Sequence, residues 1–94
     1  MVLTVYIVEC ADGSYYTGIT NNIEKRLTEH NQGVSARSYT YTRRPVILVY
    51  HEDHSDPLYA IRREKQIKRW SRRKKIAMIE GRWEDLPGLS RSSN

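Results

Sequence analysis

One cysteine, no phenylalanine, three prolines and five glycines stand among the 94 residues of this chain. Cys10 alone excludes an internal disulfide and a cysteine-rich zinc site. A reducing, cytoplasmic setting is the default expectation. No apolar run approaches the roughly 18–20 residues of a membrane span. The stretch Val2–Val8 is closed by Glu9 and is too short for a secretory signal. No internal repeat and no linker composition appear. The length suffices for one domain and not two, with a core burying about 60–65% of the unfolded surface. With 38% hydrophobic and 29% charged residues, the balance is that of a globular chain and not a disordered one.

What is abundant is positive charge. The net charge is +5, and residues 62–75 hold nine of the sixteen Lys and Arg against one acid, Glu64. That segment carries +8 and the rest of the chain −3. A basic stripe on a near-neutral body suits a polyanion, most often nucleic acid, and equally a solvated helix face. No strongly apolar face accompanies it, which argues against an acidic membrane surface.

The pattern reads β-β-α-β-α-α. Val2–Cys10, rich in Val, Ile, Thr and Tyr, reads as a strand, Asp12-Gly13 as a turn and Tyr15–Thr20 as the returning strand. Asn21 caps a helix, with Glu24 completing a capping box and Gly33 ending it. Val34–Arg44 reads as a polar loop. Pro45 opens a third strand, Val46–Tyr50, whose unbroken apolar run suggests burial on both faces. Ser55 or Asp56 caps a second helix with Pro57 in its first turn, running to about Trp70. Ser71 starts a third helix, Arg72–Glu80, stopped by Gly81. The expected fold class is α+β, a small three-stranded antiparallel sheet flanked by helices. Residues 1–81 form the domain, and 82–94 are expected to be a flexible tail.

Three features set polar groups where apolar ones belong. On the second helix Ala60, Ile61 and Ile67 share a face, and Glu64 lies in its middle. A carboxylate there is costly unless it pairs with an arginine across the domain or holds a cation. Mg²⁺ accepts such a site, taking one or two carboxylates and completing its shell with water and phosphate oxygens. On the first helix Arg26 and His30 are four apart beside the apolar edge of Ile23 and Leu27. They read either as boundary residues or as a fixed cation and a proton carrier serving one pocket. In the hairpin, a two-residue turn would set Tyr6 and Tyr16 on opposite faces. A three-residue loop with a left-handed Gly13 pairs Cys10 with Ser14, Tyr6 with Gly18 and Val8 with Tyr16. That register puts both phenols on one face, with Gly18 leaving space beside Tyr6, and it is the one expected. With seven tyrosines and no phenylalanine, each phenol taken singly reads as an ordinary strand residue.

Taken together, these residues resemble the GIY-YIG endonuclease domain family. Thr4-Val5-Tyr6, then nine residues, then Tyr16-Thr17-Gly18 is similar to its two signature tripeptides. Gly18-Ile19-Thr20-Asn21 with Arg26 and His30-Asn31 is similar to its second motif, and Ala60 to Glu64 with Lys68 and Trp70 to its metal-binding helix. The likeness covers about residues 2–80 and is closest to the small single-domain bacterial branch.

The resemblance implies phosphodiester hydrolysis in nucleic acid, DNA first, with one Mg²⁺ or Mn²⁺ ion held weakly without substrate. It implies catalytic roles for Tyr6, Tyr16, Arg26 and His30, with Glu64 as the metal ligand, while the hairpin geometry makes Gly13 and Gly18 structural glycines. Charge suggests that Arg37, Arg43, Arg44, Arg62, Lys68, Arg69, Arg72, Arg73, Lys74 and Lys75 follow a nucleic-acid backbone without reading sequence. The family often carries an asparagine late in the domain and a polar residue after the second tripeptide. Here no asparagine falls between Asn31 and Asn94, and Ile19 follows Gly18. These departures keep a second reading open, a nucleic-acid-binding module of the same fold with little catalysis. A third reading is an interaction domain for an acidic protein.

Overall fold

The structure is a computed structural model that describes residues 2–85. Its elements run β1 (Leu3–Glu9), β2 (Tyr15–Thr20), α1 (Ile23–Gln32), β3 (Ile47–His54), α2 (Pro57–Lys68) and α3 (Arg72–Ile79). The sheet is antiparallel in the order β2-β1-β3. The expected class, element order and antiparallel sheet are those found.

β1 is central because its side chains are apolar on both sides. Val5 and Ile7 face α2 and α3 and pack with Ala60, Ile67 and Met78. Tyr6 and Val8 face the other way and pack with Ile23 and Leu27 of α1. The burial on both faces expected of the third strand belongs instead to β1. β3 is an edge strand, and Ile47 is 64% exposed. β3 also outruns its apolar stretch, continuing through the polar residues His51–His54 because these still pair with β1.

The hairpin adopts the three-residue loop. Cys10 N–H donates to the Ser14 carbonyl at 2.8 Å, and Gly13 takes a φ of +84°. Tyr6 stands opposite Gly18, and Val8 opposite Tyr16.

Helix termini follow the local chemistry with one shift. α1 is capped by Asn22, whose Oδ1 accepts the Lys25 amide at 3.1 Å, and not by Asn21. The capping box with Glu24 is therefore absent. Thr20 Oγ1 accepts the Asn22 amide at 3.1 Å, and this turn places Asn22 at the cap. Gly33 closes α1 at a φ of +69°, in the left-handed region. Asp56 caps α2 with Pro57 in the first turn, and Ser71 caps α3. On α2 the buried row is Ala60, Glu64 and Ile67, spaced i, i+4, i+7. Ile61, expected on that face, lies a further 100° round the helix and is 40% exposed.

In the expected tail, Trp83–Asp85 form a 3-10 turn, and the Trp83 ring lies edge-on to Tyr50. The remainder of that expectation falls on residues 86–94, outside the described residues.

Candidate active site

Tyr6 reaches the site because Gly18 has no side chain. A Cβ at Gly18 would collide with the Tyr6 hydroxyl and stand 2.5 Å from its Cζ. The phenol therefore lies across the edge strand β2, and the space expected beside Tyr6 is filled by its own ring. There its Oη is 2.9 Å from His30 Nε2. Tyr16, on the same face, has its ring centroid 6.4 Å from that of Tyr6 and 5.5 Å from that of His30.

Arg26 lies one helical turn before His30, beside the Tyr6 hydroxyl. Its Nε is buried without a hydrogen-bond partner. Its Nη1 is 3.6 Å from Glu29, a partly exposed ion pair of little strength. Burial raises the Tyr6 pKa, and the Arg26 cation offsets this only in part. Tyr16 and Glu64 push it in the same upward direction. Tyr6 is thus a neutral phenol at neutral pH. Burial lowers the His30 pKa and Arg26 lowers it further, so that imidazole is neutral as well.

Glu64 comes from the other layer. It sits 9% exposed on the α2 row that packs against the opposite face of the sheet. Because β2 is an edge strand, the two layers meet across its outer side. There Lys68 and Lys75 from the helices line a hollow of about 300 Å³ with Tyr15, Tyr16 and Thr17 of β2 and with Tyr39. Glu64 does not pair with an arginine across the domain, one of the alternatives its position allows. Its Oε2 is 2.8 Å from Lys68 Nζ on the same helix. Arg26 and His30 line a separate cleft of about 70 Å³, whereas Tyr16 lines the hollow on the outer side of β2.

The basic residues divide by what they touch. Arg37, Arg62, Arg69 and Arg73 are exposed. Arg43 is tied to Asp12 at 3.1 Å and to the Tyr39 carbonyl at 2.8 Å. Arg44 donates to the Tyr41 carbonyl at 2.7 Å. Arg72 donates to the Gly13 carbonyl at 2.8 Å and covers the Tyr15 ring, pinning the hairpin loop to α3. Lys74 lies over the Trp70 ring at 4.1 Å. Lys75 faces the hollow with its pKa lowered by burial and by Lys68.

In the loop before β3, the sequence marked only the arginines and gave no sign of Tyr39 or Thr40. Tyr39 stacks on Tyr16 at 5.9 Å and 18°, with Arg43 over its ring. Thr40 is 1% exposed, and its Oγ1 is 2.7 Å from His30 Nδ1. Asn31 forms a paired bond to the Val46 backbone, at 2.7 and 3.1 Å, which fixes the end of α1 against the start of β3. A run of Ser, Thr and Tyr carries no periodicity that would have marked these neighbours.

Residues 3–77 match the family model described as the GIY-YIG catalytic domain. The UPF0213 protein of Staphylococcus haemolyticus is 55% identical over 78 residues, which are 83% of this chain and 94% of that relative. The UPF0213 protein of Desulfotalea psychrophila is 50% identical over 76 residues, 81% of this chain and 69% of that one. Among solved structures, the solution structure of the UPF0213 protein from Bacillus halodurans is 39% identical with a TM-score of 0.57, covering 85% of this chain and 84% of that one.

Proposed function

This chain belongs to the GIY-YIG catalytic domain family, and from that membership we propose that it is a divalent-metal-dependent endonuclease hydrolysing phosphodiester bonds in nucleic acid, with DNA the expected substrate. The observation that carries the reading is the hydrogen bond between Tyr6 and a neutral His30, flanked by Tyr16 and Arg26.

The donor set available for a metal is small. Among the described residues no three His, Cys, Asp or Glu side chains cluster in a way that could hold an ion. A single carboxylate still fits Mg²⁺ or Mn²⁺ when water and substrate phosphate complete the shell. Glu64 already attracts a cation, the Lys68 ammonium, whose flexible stem is half exposed and free to swing away. Bound there, the ion would supply charge stabilisation at the leaving and nonbridging oxygens.

The chain's own residues account for the proton. Tyr6 is fully buried and held above its usual pKa, so to act as the base its hydroxyl must be opened to the attacking water when substrate binds and must pass its own proton on. His30 Nε2 is in position to receive it. The departing oxygen, on the opposite side of the phosphorus in an in-line displacement, takes its proton from solvent, and His30 later returns the held proton through Tyr6 to water. Arg26, its side chain 43% exposed, offers paired guanidinium donors to phosphate oxygens. Arg37, Arg62, Arg69 and Arg73 supply charge to follow the backbone.

The test is a cleavage screen of branched, nicked and single-stranded substrates with Mg²⁺ and Mn²⁺, run beside Glu64→Ala. The expected result is metal-dependent cleavage by the wild type that the variant loses while keeping its circular dichroism. Equal cutting by the two proteins would remove Glu64 from the mechanism. One observation favours the second reading, binding without cleavage: the acid is already neutralised by Lys68. Salt-dependent binding with no cutting under any of these conditions would establish it.

A further inference from the structure

Behind His30, on the side away from Tyr6, a second hydrogen-bonded chain runs through residues that the proposed reaction does not use. His30 Nδ1 is 2.7 Å from Thr40 Oγ1, and Thr40 Oγ1 is 3.0 Å from Ser38 Oγ. Thr40 is among the largest fully buried side chains, although it comes from an irregular polar loop. A buried hydroxyl on such a loop is held for its bonds and not for its packing.

The donors and acceptors can be assigned in order. Arg26 has only donors and lies beside the Tyr6 oxygen, an arrangement that favours the oxygen accepting on that side and giving its own proton to the Nε2 contact at 2.9 Å. His30 Nε2 must then be the acceptor. A neutral imidazole has one ring proton, which therefore resides on Nδ1 and is donated to Thr40 Oγ1. Thr40 in turn donates to Ser38 Oγ, which also faces the Thr40 amide at 3.4 Å. Ser38 and Thr40 both line the cleft of about 70 Å³ beside α1, where Ser38 is partly open to water.

We propose that Thr40 is the positioning residue for His30: its hydroxyl accepts the Nδ1 proton, fixes the imidazole in one tautomer, and so keeps the Nε2 lone pair aimed at the Tyr6 proton. The role is that of the orienting acid behind a catalytic histidine, performed here by a neutral hydroxyl. During attack, the water proton moves to Tyr6 Oη as the Tyr6 proton moves to Nε2. The ring is then briefly an imidazolium, still donating from Nδ1 to Thr40. Return of the held proton from Nε2 through Tyr6 to water restores the starting tautomer, while the departing oxygen takes its proton from solvent. A buried carboxylate in place of Thr40 would stabilise the imidazolium and retain that proton, whereas a hydroxyl orients the ring without trapping the charge. Ser38 holds the Thr40 proton away from the ring.

This inference rests on the proton path proposed for Tyr6 and His30, and its test separates the two. Long-range proton–nitrogen correlation of the His30 ring reads the tautomer without any substrate. In the wild type and in Thr40→Ser, Nδ1 is expected to carry the proton and Nε2 to be bare. In Thr40→Val, which keeps the shape and loses the hydroxyl, the single-tautomer signature is expected to disappear. Cleavage should fall about 10- to 100-fold in kcat with KM little changed, and Thr40→Ser should restore it. A wild-type ring protonated on Nε2 would overturn the proposal even if Thr40→Val failed to fold. So would a Thr40→Val protein that keeps the Nδ1 proton. The expected tautomers in a wild type that cuts nothing would uphold the positioning of His30 and sink the nuclease reading alone.

Discussion

Gly18 and Tyr6 stand opposite each other across β1 and β2, and the phenol occupies the space in which a methyl group would sit. The collision would be with a ring buried on all sides, which has no free end to yield. Gly18→Ala is therefore expected to cost about 1–3 kcal/mol, the usual range for overpacking, and to move the Tyr6 hydroxyl off His30. Urea denaturation reads the first effect and the His30 ring resonances the second. A variant as stable as the wild type with unchanged ring signals would show that the phenol lies elsewhere. Spacing alone marked this pair, since only one hairpin loop sets Tyr6 against a residue lacking a side chain. The bond from His30 to Thr40 had no comparable mark. It joins residues ten apart, one on a helix and one in an irregular loop.

Between elements, a polar clamp holds the edge strand β3 to α2. Glu52 accepts from Arg63 Nε at 2.8 Å and from the Tyr50 hydroxyl at 2.7 Å, and it lies 2.5 Å from His54 Nε2. Burial alone would raise the Glu52 pKa, but the hydrogen bonds from Arg63, His54 and Tyr50 outweigh it and leave the carboxyl below its usual value. Burial and the bond to Glu52 together hold the Tyr50 phenol up to about 12. Since the folded Glu52 pKa is depressed, its stabilisation is full above the unfolded value of about 4.3 and is lost as pH falls through the folded value. Glu52→Gln is expected to lower stability by about 1–3 kcal/mol at pH 7. Denaturation at a series of pH values should show the gap between variant and wild type closing below about pH 4. A gap independent of pH would mean that packing and not charge carries the clamp. The sequence concealed this cluster because Arg63 looks like one more member of a basic run. Its partner also lies eleven residues away on a strand expected to end at Tyr50.

For the whole molecule, the division of the basic residues sets how it should meet a polyanion. Arg62, Arg69 and Arg73 are exposed, whereas Arg43, Arg44 and Arg72 already bond carbonyls of the chain itself. Replacing Arg62, Arg69 and Arg73 with Gln is expected to weaken duplex binding and flatten its salt dependence. The slope of log K against log salt should become shallower by about 0.9 for each phosphate that is no longer neutralised. Arg72→Gln should act chiefly on stability, since it releases the hairpin loop from α3. Fluorescence anisotropy between about 50 and 200 mM salt, a range over which this effect varies strongly, distinguishes the two. An unchanged slope in the triple variant would place the binding surface elsewhere. Among the described residues no helix is long and apolar enough to cross a membrane.

The sequence by itself determined the element order, the expected hairpin register and the two pairs that share a face, Tyr6 with Tyr16 on the hairpin and Arg26 with His30 on α1. Each follows from local rules: strand alternation, a loop of fixed length, and the four-residue repeat of a helix. Tertiary structure alone decided which strand is central, which cation neutralises Glu64, and that a loop threonine stands behind His30. Those outcomes depend on which side chains become neighbours across layers and edges, and residues distant in sequence carry no periodic sign of being near in space.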